Sequence, residues 1–475
     1  MTYLPPPINF QARCLSSLEL SGMAVAWQET LRGTLGVTRG PEAMVMANDP
    51  ESVALLFALS CSPNPLIILP VDSRAWRTSP CLPLGTTLIL PPRLQGLAAD
   101  AKLAGLDATV LPQPDPGEGA SDPAFMSLPG FVLFTSGSTG PPRPVFRSTR
   151  SILDAASTLA MAARIPAGAG VIGAVPLSGG FGLIHALMLS TALGAPLGLL
   201  ERFDLSALLT LFASRKYDYW AGTPVMANIL GRCPLPGAHP APEMCVIAGR
   251  LPASVCRAFE ARFGVPLRQT YGTTESGPVT VDTGPPSLVR SQSAGRPLPG
   301  VSVRIGDDPR APVPAGEPGR IWLSTPLYMD GYGFPPAVEP AKSVDGWHET
   351  KDTGYLDDAG YLMHAGRVDD CVRTRAGYLV NPGDVAAAIE EHAGVKDAAV
   401  VPLDTHTGPV LGALVEATPE LDATELRNYL SRTLPPWAQP RVLEITRELP
   451  RLAAGRTDRM ACVEILTRSL APTDT

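Results

Sequence analysis

The sequence predicts an α/β protein with more than one domain, and three observations support this prediction. Short runs of aliphatic and β-branched residues alternate with segments of helical length, an order typical of stacked α/β layers. The 475 residues exceed what one compact core usually holds. The chain is 45% hydrophobic and 17% charged, so it can bury an extensive core, while 52 prolines and 45 glycines predict many turns.

The alternating pattern occupies the first part of the chain. Its apolar runs have the length of buried strands, and the segments between them are long enough for helices. The predicted strands are 43–47, 66–69, 131–135, 171–175 and 245–248, and the predicted helices include 52–60, 151–163 and 253–263.

Two further units follow this pattern. After about Gly284, clusters of proline and glycine separate short strands such as 320–323, which predicts a small β-rich unit. A second α/β unit begins near Gly366, with predicted helices at 382–392 and 423–434 and a predicted strand at 398–402. We therefore expect an N-terminal domain over residues 1–365 and a C-terminal domain over residues 366–475.

Charge and composition disfavour several classes of protein. The net charge of −7 provides no overall positive field for binding nucleic acid. Residues 171–200 contain no Asp, Glu, Lys or Arg, but glycines and prolines interrupt them, so we expect a buried strand, a loop and a helix rather than a membrane span. The eight cysteines include no CxxC pair and are expected to be reduced core thiols. With no signal-peptide pattern at the N-terminus, this predicts a cytoplasmic protein.

The strongest candidate for anion binding follows the strand at 131–135. Hydroxyl side chains and glycines are interleaved there, and the segment consists of Thr135, Ser136, Gly137, Ser138, Thr139 and Gly140, with Arg143 just beyond. Glycines let backbone N–H groups converge on an anion, and small hydroxyl groups add further donors. Because no Gly-Lys-Ser/Thr sequence ends the segment, it predicts a phosphate-binding loop that differs from the P-loop.

Further motifs follow in order along the chain. The first brings together an aromatic face that can stack on a base, hydroxyls that can bind a phosphate and a carboxylate that can bind Mg²⁺, and it consists of Tyr271, Gly272, Thr273, Thr274 and Glu275. Residues 347–357 contain Asp352, and residues 366–370 contain Arg367 and Asp369.

In this order and spacing, the motifs resemble those of the adenylate-forming superfamily of acyl-CoA synthetases, nonribosomal peptide adenylation domains and luciferases. The resemblance extends from about Pro41 to Asp458. It implies a large N-terminal domain of stacked α/β layers plus a small β-barrel, and a small, mobile α+β C-terminal domain. It also implies a ligase that forms an acyl-adenylate and pyrophosphate from an acid and ATP, before a pantetheine thiol displaces AMP.

The resemblance also implies a role for each motif residue. Residues 135–140 and Arg143 would hold the β- and γ-phosphates, and Gly249, Arg250 and Leu251 would line the adenine pocket. Tyr271, within the segment that contains Gly272 and Thr273, would stack on adenine. Thr274 would bond the α-phosphate, Glu275 would bind Mg²⁺, Asp352 would bind the ribose with Arg367 nearby, and Asp369 would be the hinge.

Two lysines that the family pattern contains are arginines here. Only five of the 38 basic residues are lysines, and Arg143 and Arg456 stand where the phosphate-loop lysine and the adenylation lysine are expected. Arginine keeps the charge but is longer, planar and forked, so it does not automatically replace an ammonium group. Either an arginine-rich composition explains both replacements in a working enzyme, which we favour, or the protein binds nucleotides without efficient adenylation.

The acid pocket is expected to include Ser178, Gly180, Phe181 and Gly182. Relatives that activate amino acids carry an aspartate in this region, whereas this segment is uncharged, which disfavours an α-amino acid. The aromatic–histidine pair of many acyl- and aryl-CoA ligases is also replaced, by Ser178 and Gly179. The short chain resembles compact bacterial ligases of aryl-polyene and xanthomonadin-type secondary metabolism, so an aromatic acid such as a hydroxybenzoate is the predicted substrate.

The thiol partner is predicted from local charge. Residues 427–459 contain seven arginines and three acidic residues, a balance of +4. A basic face suits an acidic acyl carrier protein, which is the favoured partner, or the phosphates of CoA in a fatty or aryl acyl-CoA synthetase. Simple solvation of the arginines is the remaining explanation. A luciferase-like oxygenase belongs to the same superfamily, but no residue pattern favours it.

Overall fold

The computed structural model describes residues 3–11, 13–35, 40–72, 82–114, 125–135, 142–234, 239–285, 289, 293–368, 372–373, 379–405, 408–451 and 457–470. Three features predicted from the sequence lie outside these ranges, namely residues 136–140 of the phosphate loop, the hinge residue Asp369 and the adenylation residue Arg456. Within the ranges, no helix combines the length and the apolar character needed to cross a bilayer.

The N-terminal part of the described chain alternates strands and helices. Its strands are β1 Ile8–Phe10, β2 Arg13–Leu15, β3 Glu42–Val45, β4 Leu66–Leu69, β5 Thr87–Leu90, β6 Asp107–Val110, β7 Gly130–Phe134, β8 Pro144–Ser148, β9 Gly170–Gly173, β10 Leu197–Leu199, β11 Tyr217–Gly222, β12 Met244–Ala248, β13 Leu267–Thr273, β14 Gly277–Val281, β15 Arg296–Pro297, β16 Ser302–Ile305, β17 Gly319–Ser324, β18 Gly331–Phe334, β19 Ala337–Glu339, β20 His348–Leu356 and β21 Leu362–Arg367.

The helices of this part include one irregular element. They are α1 Ser17–Leu35, α2 Pro50–Leu59, α3 Ala98–Leu103 after the 3₁₀ turn Pro92–Leu97, α4 Thr149–Ala162, α5, α6 Leu205–Ala213, α7 Pro224–Arg232 and α8 Ala253–Phe263. Helix α5 begins as Gly180–Gly182, continues as a π-helix over Leu183–Met188 and ends as Leu189–Leu193. Single-turn π segments are frequent at functional sites.

Side-chain caps fix where several helices begin. Asp49 accepts a hydrogen bond from the backbone N–H of Ser52, and Pro50 occupies the first position of α2. Asp204 accepts from the N–H of Ala207 at 2.8 Å and caps α6 in the same way. The caps hold these helices in register with the strands that precede them.

Two large sheets carry the fold. Among the described residues, nine strands form one sheet in the order β15-β14-β13-β12-β11-β9-β10-β1-β2, and eight form another in the order β19-β18-β8-β7-β4-β3-β5-β6. The centres of both sheets are parallel, while β13–β14 and β7–β8 pair antiparallel. The phosphate-loop segment connects β7 with β8, and the turn that contains Thr274 and Glu275 connects β13 with β14.

Helices fill the space between the two sheets and cover their outer faces. The largest cluster of buried side chains joins α1, α2, α4 and α5 to the inner faces of both sheets. A second cluster packs α6, α7 and α8 on the outer face of the nine-stranded sheet, and a third packs α3 on the eight-stranded sheet. The predicted stacked α/β layers are confirmed.

The β-rich unit follows these layers. Its four described strands pair antiparallel in the order β16-β17-β20-β21, and Leu362 of β21 exchanges backbone hydrogen bonds with Ala294 and Gly295. This sheet represents the small barrel that the resemblance implies. Because β21 pairs with β20 through Arg367, the expected boundary between residues 365 and 366 falls inside a strand, and the described C-terminal unit starts after it.

The C-terminal unit has its own core. It contains β22 Val372–Arg373, β23 Leu379–Val380, β24 Val395–Leu403, β25 Val410–Ala417 and β26 Val442–Thr446, with helices α9 Pro382–Glu390, α10 Ala423–Thr433 and α11 Arg459–Arg468. Helices α9 and α10 pack on one face of the β24-β25-β26 sheet, and α11 packs on the other. The unit is α+β, as expected.

Two details differ from the sequence predictions. Residues 171–200 form β9, α5 and then β10, so they contain a second strand where a helix was expected to end the segment. Of the six described cysteines, none is paired, but Cys14 is exposed rather than in the core because it lies on the edge strand β2.

Candidate active site

The ends of the phosphate loop are held together by backbone and side-chain bonds. The Arg143 N–H donates to Oγ1 of Thr135 at 2.9 Å, and the Thr135 N–H donates to the Arg143 carbonyl at 3.0 Å. The Arg143 guanidinium lies 3.5 Å from the centroid of the Tyr332 ring, a cation–π contact. The described edges of the loop therefore place a cation beside an aromatic ring of β18.

The turn after β13 brings the second motif to the same place. Gly272 must be glycine, since a Cβ there would lie 2.3 Å from the Gly277 carbonyl oxygen. Thr273 and Ser276 exchange hydrogen bonds across the turn, including one from the Ser276 N–H to Oγ1 of Thr273 at 3.1 Å. This tight turn fixes Thr274 and Glu275 at its tip.

Tyr332 connects the turn to the phosphate loop. Its hydroxyl donates to Oε1 of Glu275 at 2.8 Å, while its ring lies under Arg143. Burial and the nearby carboxylate raise the pKa of the Tyr332 phenol, which keeps it a donor. The sequence analysis missed this residue because a tyrosine in a Gly-rich segment carries no distinctive signal.

A fully buried arginine supports the turn from behind. Arg147 of β8 has no exposed surface and donates to Oγ of Ser151 at 2.9 Å, to the Leu327 carbonyl at 2.8 Å and to the Thr274 carbonyl at 3.5 Å. Burial lowers the pKa of its guanidinium to about 10, so it remains charged at neutral pH. The sequence analysis missed Arg147, although a charged residue inside an apolar strand was a detectable signal.

The ribose-binding candidate lies beside the candidate base-stacking residue. The Tyr271 hydroxyl donates to Oδ2 of Asp352 at 2.6 Å, and both side chains are buried. His364 places Nε2 3.8 Å from Oδ1 of Asp352, and its ring lies 5.1 Å from that of Tyr271. Arg367 is paired with Asp352 in the β20–β21 register. The structure thus brings three predicted residues together and adds His364.

The segment 249–251 is arranged differently from the expectation. Arg250 turns away from the nucleotide motifs and forms an ion pair with Asp384 of the C-terminal unit, at 2.7 Å. The Leu251 side chain is buried against the helices of the nine-stranded sheet, and its N–H donates to Oε1 of Gln269 at 3.2 Å. Gly249, with φ of 122°, is exposed, as is Arg250, and the backbone of this glycine could face a base.

The predicted acid pocket begins next to Thr274. A Cβ on Gly180 would lie 3.9 Å from Cα of Thr274, so the segment at the start of α5 adjoins the turn. Ser178 and Phe181 are half-buried. Gly182, by contrast, packs so closely on the Pro176 carbonyl that a Cβ would lie 2.1 Å from its oxygen, so its role is close packing rather than lining.

The C-terminal unit contacts the N-terminal part near this site. Besides the Arg250–Asp384 pair, the Asn228 side chain donates to the Lys396 carbonyl at 3.3 Å, and Arg232 donates to the Val395 carbonyl at 3.4 Å. These contacts connect α7 with the start of β24, and the segment before α8 with α9.

The segment that contains Arg456 is held at both of its ends. Arg451 and Thr457 pair as an isolated β-bridge, and Arg451 binds Asp397 at 2.7 Å and Glu416 at 3.5 Å. Arg451 and Thr457, the described residues on either side of residues 452–456, are therefore held together, and Arg451 anchors them to the C-terminal unit.

A magnesium ion fits this arrangement. Within the described ranges, no cluster of three or more His, Cys, Asp or Glu side chains suggests a site built by protein ligands alone. Mg²⁺ characteristically takes one or two carboxylates and completes its shell with water and substrate phosphates. Glu275, at the tip of the turn, is the candidate carboxylate.

Family comparison identifies the class of protein to which this fold and its motifs belong. The model for the AMP-binding enzyme family matches residues 86–333, and that for the AMP-binding enzyme C-terminal domain matches residues 384–456. The chain belongs to the AMP-binding enzyme family, and the predictions of an adenylate-forming enzyme and of its fold are confirmed.

Individual relatives are distant. The chain is 29% identical over 342 residues to the benzoate–CoA ligase of Thauera aromatica, covering 69% of this chain and 64% of that protein. It is 29% identical over 377 residues to the sulfoacetate–CoA ligase of Cupriavidus necator, covering 78% and 74%. The crystal structure of ATP-bound MatB from Rhodopseudomonas palustris superimposes with a TM-score of 0.83 over 98% of this chain and 96% of that one, at 22% identity.

Proposed function

We propose that the protein is an ATP-dependent ligase that joins a carboxylic acid to a pantetheine thiol through an acyl-adenylate, with release of pyrophosphate and AMP. The observation that carries this proposal is that Thr274 lies beside Gly180, that Tyr332 contacts both Glu275 and Arg143, and that Tyr271 and Asp352 are hydrogen-bonded to each other. Membership of the AMP-binding family supports the same chemistry.

The protein binds and orients ATP with residues of the nine-stranded and the four-stranded sheets. Tyr271 offers an aromatic surface for the adenine, and Asp352 has carboxylate oxygens that can accept bonds from the ribose hydroxyls. The Tyr271–Asp352 hydrogen bond at 2.6 Å fixes both groups before nucleotide binds. Arg367, opposite Asp352 in the sheet, adds positive charge near the ribose.

Charge neutralisation at phosphorus is the main catalytic requirement. The acid supplies its own carboxylate nucleophile, so the protein has to align the reactants and stabilise the charge that develops on the α-phosphate. Thr274 supplies donors at the turn, Arg143 and Arg456 supply positive charge, and Mg²⁺ held by Glu275 would screen the phosphate oxygens. The hinge role of Asp369 stays part of this proposal.

The acid we propose is aromatic, with a hydroxybenzoate as the model substrate. The pocket segment carries no charge, and even an added Cβ on Gly179 or Gly180 would meet only atoms at 3.7 Å or more, so these glycines leave space beside Leu133 and Thr274. Such a space suits a flat ring. A relative named as a benzoate–CoA ligase supports an aromatic acid, and a relative named for sulfoacetate favours testing small aliphatic acids as well.

The acceptor thiol belongs to an acyl carrier protein or to CoA. Of the seven arginines in residues 427–459, Arg427, Arg432, Arg441 and Arg447 are exposed, whereas Arg451 and Arg459 bind groups of their own unit. The basic surface for a carrier protein is therefore smaller than the sequence suggested. The names of the relatives support CoA.

The experiment that tests this function is a panel of carboxylic acids with ATP and Mg²⁺. Pyrophosphate release is measured first without a thiol, and AMP and thioester formation are then measured with CoA or with a phosphopantetheinylated acyl carrier protein. We expect acid-dependent pyrophosphate release and thioester with one of the acceptors. If ATP binds but none of the acids causes pyrophosphate release, the protein is a degenerate nucleotide-binding protein. Arg456 then does not replace the adenylation lysine in function.

A further inference from the structure

A buried histidine lies one step beyond the predicted acid pocket. His185 of α5 is 3% exposed, and its ring lies 4.4 Å from the ring of Phe181. Its Nδ1 is 2.7 Å from the hydroxyl of Tyr219, which is fully buried on β11. Neither side chain has a role in binding nucleotide.

The hydrogen bond determines which nitrogen of His185 carries the proton. Burial raises the pKa of the Tyr219 phenol, so this hydroxyl keeps its proton and needs an acceptor. Nδ1 of His185 is the one acceptor that the described residues offer it. Tyr219 therefore donates to Nδ1, and the neutral imidazole carries its hydrogen on Nε2.

That Nε2–H group has no partner among the described residues. A polar hydrogen in this position would normally be satisfied inside a core. Nε2 is not fully enclosed. The small accessible surface of His185 therefore includes this nitrogen. A single hydrogen-bond donor thus faces open space.

The geometry relates this donor to the reacting end of the site. Gly180 lies beside Thr274, and His185 follows five residues later on α5, which corresponds to about 7 Å along a helix axis. The ring of Phe181 lies between the two positions along the chain and contacts the His185 ring. The donor therefore belongs to the same helix as Gly180, the residue that adjoins Thr274, and contacts the neighbouring ring of Phe181.

We propose that His185 is a specificity residue, whose Nε2–H binds an uncharged acceptor oxygen on the acid substrate, at the end opposite the carboxylate. The proposal rests on the proposed acid-activating function. Burial keeps the His185 ring neutral, and among the described residues no charged side chain contributes to the lowered pKa of the ring, so this part of the site does not compensate a second carboxylate. A hydroxyl or similar oxygen on an aromatic ring meets these conditions.

The test compares two acids of equal size. Pyrophosphate release is measured with 3- or 4-hydroxybenzoate and with the corresponding methylbenzoate, which lacks the acceptor oxygen. We expect the wild-type kcat/KM to favour the hydroxy acid by about tenfold, since an unpaired buried donor disfavours the methyl compound. His185→Leu should remove this preference, and His185→Gln, which keeps an N–H donor, should retain part of it.

Two tyrosines of the same strand provide a matched control. Tyr219→Phe removes the bond that orients His185 and should reduce the preference, whereas Tyr217→Phe removes a hydroxyl that bonds Asn9 and should leave it unchanged. Thermal unfolding with and without ATP checks that each variant is folded.

The outcomes separate the subsite from the function. If wild type and His185→Leu prefer the hydroxy acid equally, the subsite is overturned and the ligase function stands. The same conclusion follows if wild type is active only with acids that lack an acceptor oxygen. Absence of pyrophosphate release with every acid overturns the proposed function, and the subsite with it.

Discussion

Tyr332 and Glu275, which are 57 positions apart in the chain, are joined by a hydrogen bond of 2.8 Å from the phenol to Oε1 of the carboxylate. The same tyrosine ring lies under the guanidinium of Arg143. One side chain therefore orients both the candidate magnesium ligand and the cation of the phosphate loop. The bond reaches across from β18 of one large sheet to the turn after β13 of the other.

Tyr332→Phe should raise the KM for MgATP about fivefold with a smaller change in kcat. The change removes a hydrogen bond worth about 1 kcal/mol but keeps the ring beneath Arg143. Tyr332→Ala removes both contacts and should have a larger effect. The measurement is pyrophosphate release as a function of MgATP. Identical kinetics for wild type, Phe and Ala variants would show that Tyr332 has no part in ATP binding.

Arg147→Met should lower both stability and turnover. The substitution leaves the Thr274 carbonyl without its buried donor, at a cost of about 1–3 kcal/mol, and leaves the Leu327 carbonyl with the Ser151 hydroxyl alone. Thr274 then loses its fixed position, so kcat should fall more than the KM for ATP rises. Thermal unfolding and initial rates check these effects.

The control for Arg147 is Arg150→Met, three residues along the same segment. Arg150 is 90% exposed and makes an ion pair with Asp154 on α4, so its loss should change stability by less than about 1 kcal/mol. If Arg150→Met slowed turnover as much as Arg147→Met, the support of the Thr274 turn by Arg147 would be refuted.

The layered fold and the nucleotide motifs could be predicted from the sequence for physical reasons. Strands such as Leu66–Leu69 are wholly apolar because both faces are covered, and Asp204 caps a helix through contacts with its own neighbours. Tyr271 and Asp352 belong to local motifs whose order along the chain is itself informative. Their direct hydrogen bond, however, joins residues 81 positions apart.

The rest of the site depends on contacts that no local pattern encodes. Tyr332 meets Glu275 only because β18 joins the eight-stranded sheet beside β8. Arg250 was expected at the adenine, and its side chain pairs with Asp384, a residue 134 positions away on the C-terminal unit. His185 is one histidine in an apolar helix, and its importance comes from Tyr219 on a separate strand.

The stability of the C-terminal unit should depend on pH through Glu390. Burial and the neighbouring Asp397 raise the pKa of this carboxyl to about 8, despite the opposing charge of Arg250. Between about pH 4.5, its ordinary value, and pH 8, the unfolded chain has lost this proton while the folded protein retains it. Folding stability from this group therefore decreases as pH rises through that interval.

Glu390→Gln removes this dependence. The variant should match wild type at pH 4.5 and become the more stable of the two by pH 8 to 9, when thermal unfolding is followed across this range. Glu391→Gln is the matched control because Glu391 is the next residue and is exposed. A wild-type curve parallel to that of Glu390→Gln at every pH would rule out a raised pKa.

Arg456 stands where the family has the adenylation lysine, so its variants test whether an arginine there supports formation of the acyl-adenylate. Its charge is proposed to act while negative charge develops on the α-phosphate, so Arg456→Ala should lower acid-dependent pyrophosphate release by about 100-fold or more. Thioester formation from a preformed acyl-adenylate should be little changed, because that step releases AMP rather than pyrophosphate. Arg447→Ala, at an exposed arginine nearby in the chain, is the control.

Arg456→Lys distinguishes the two explanations of this position. If compositional drift replaced a lysine without altering the site, lysine should support pyrophosphate release at a rate equal to or above that of wild type. If the surroundings adapted to a planar, forked cation, lysine should restore only part of the rate lost in Arg456→Ala. An unchanged rate in Arg456→Ala would remove Arg456 from the mechanism and leave Arg143 as the arginine that neutralises the phosphates.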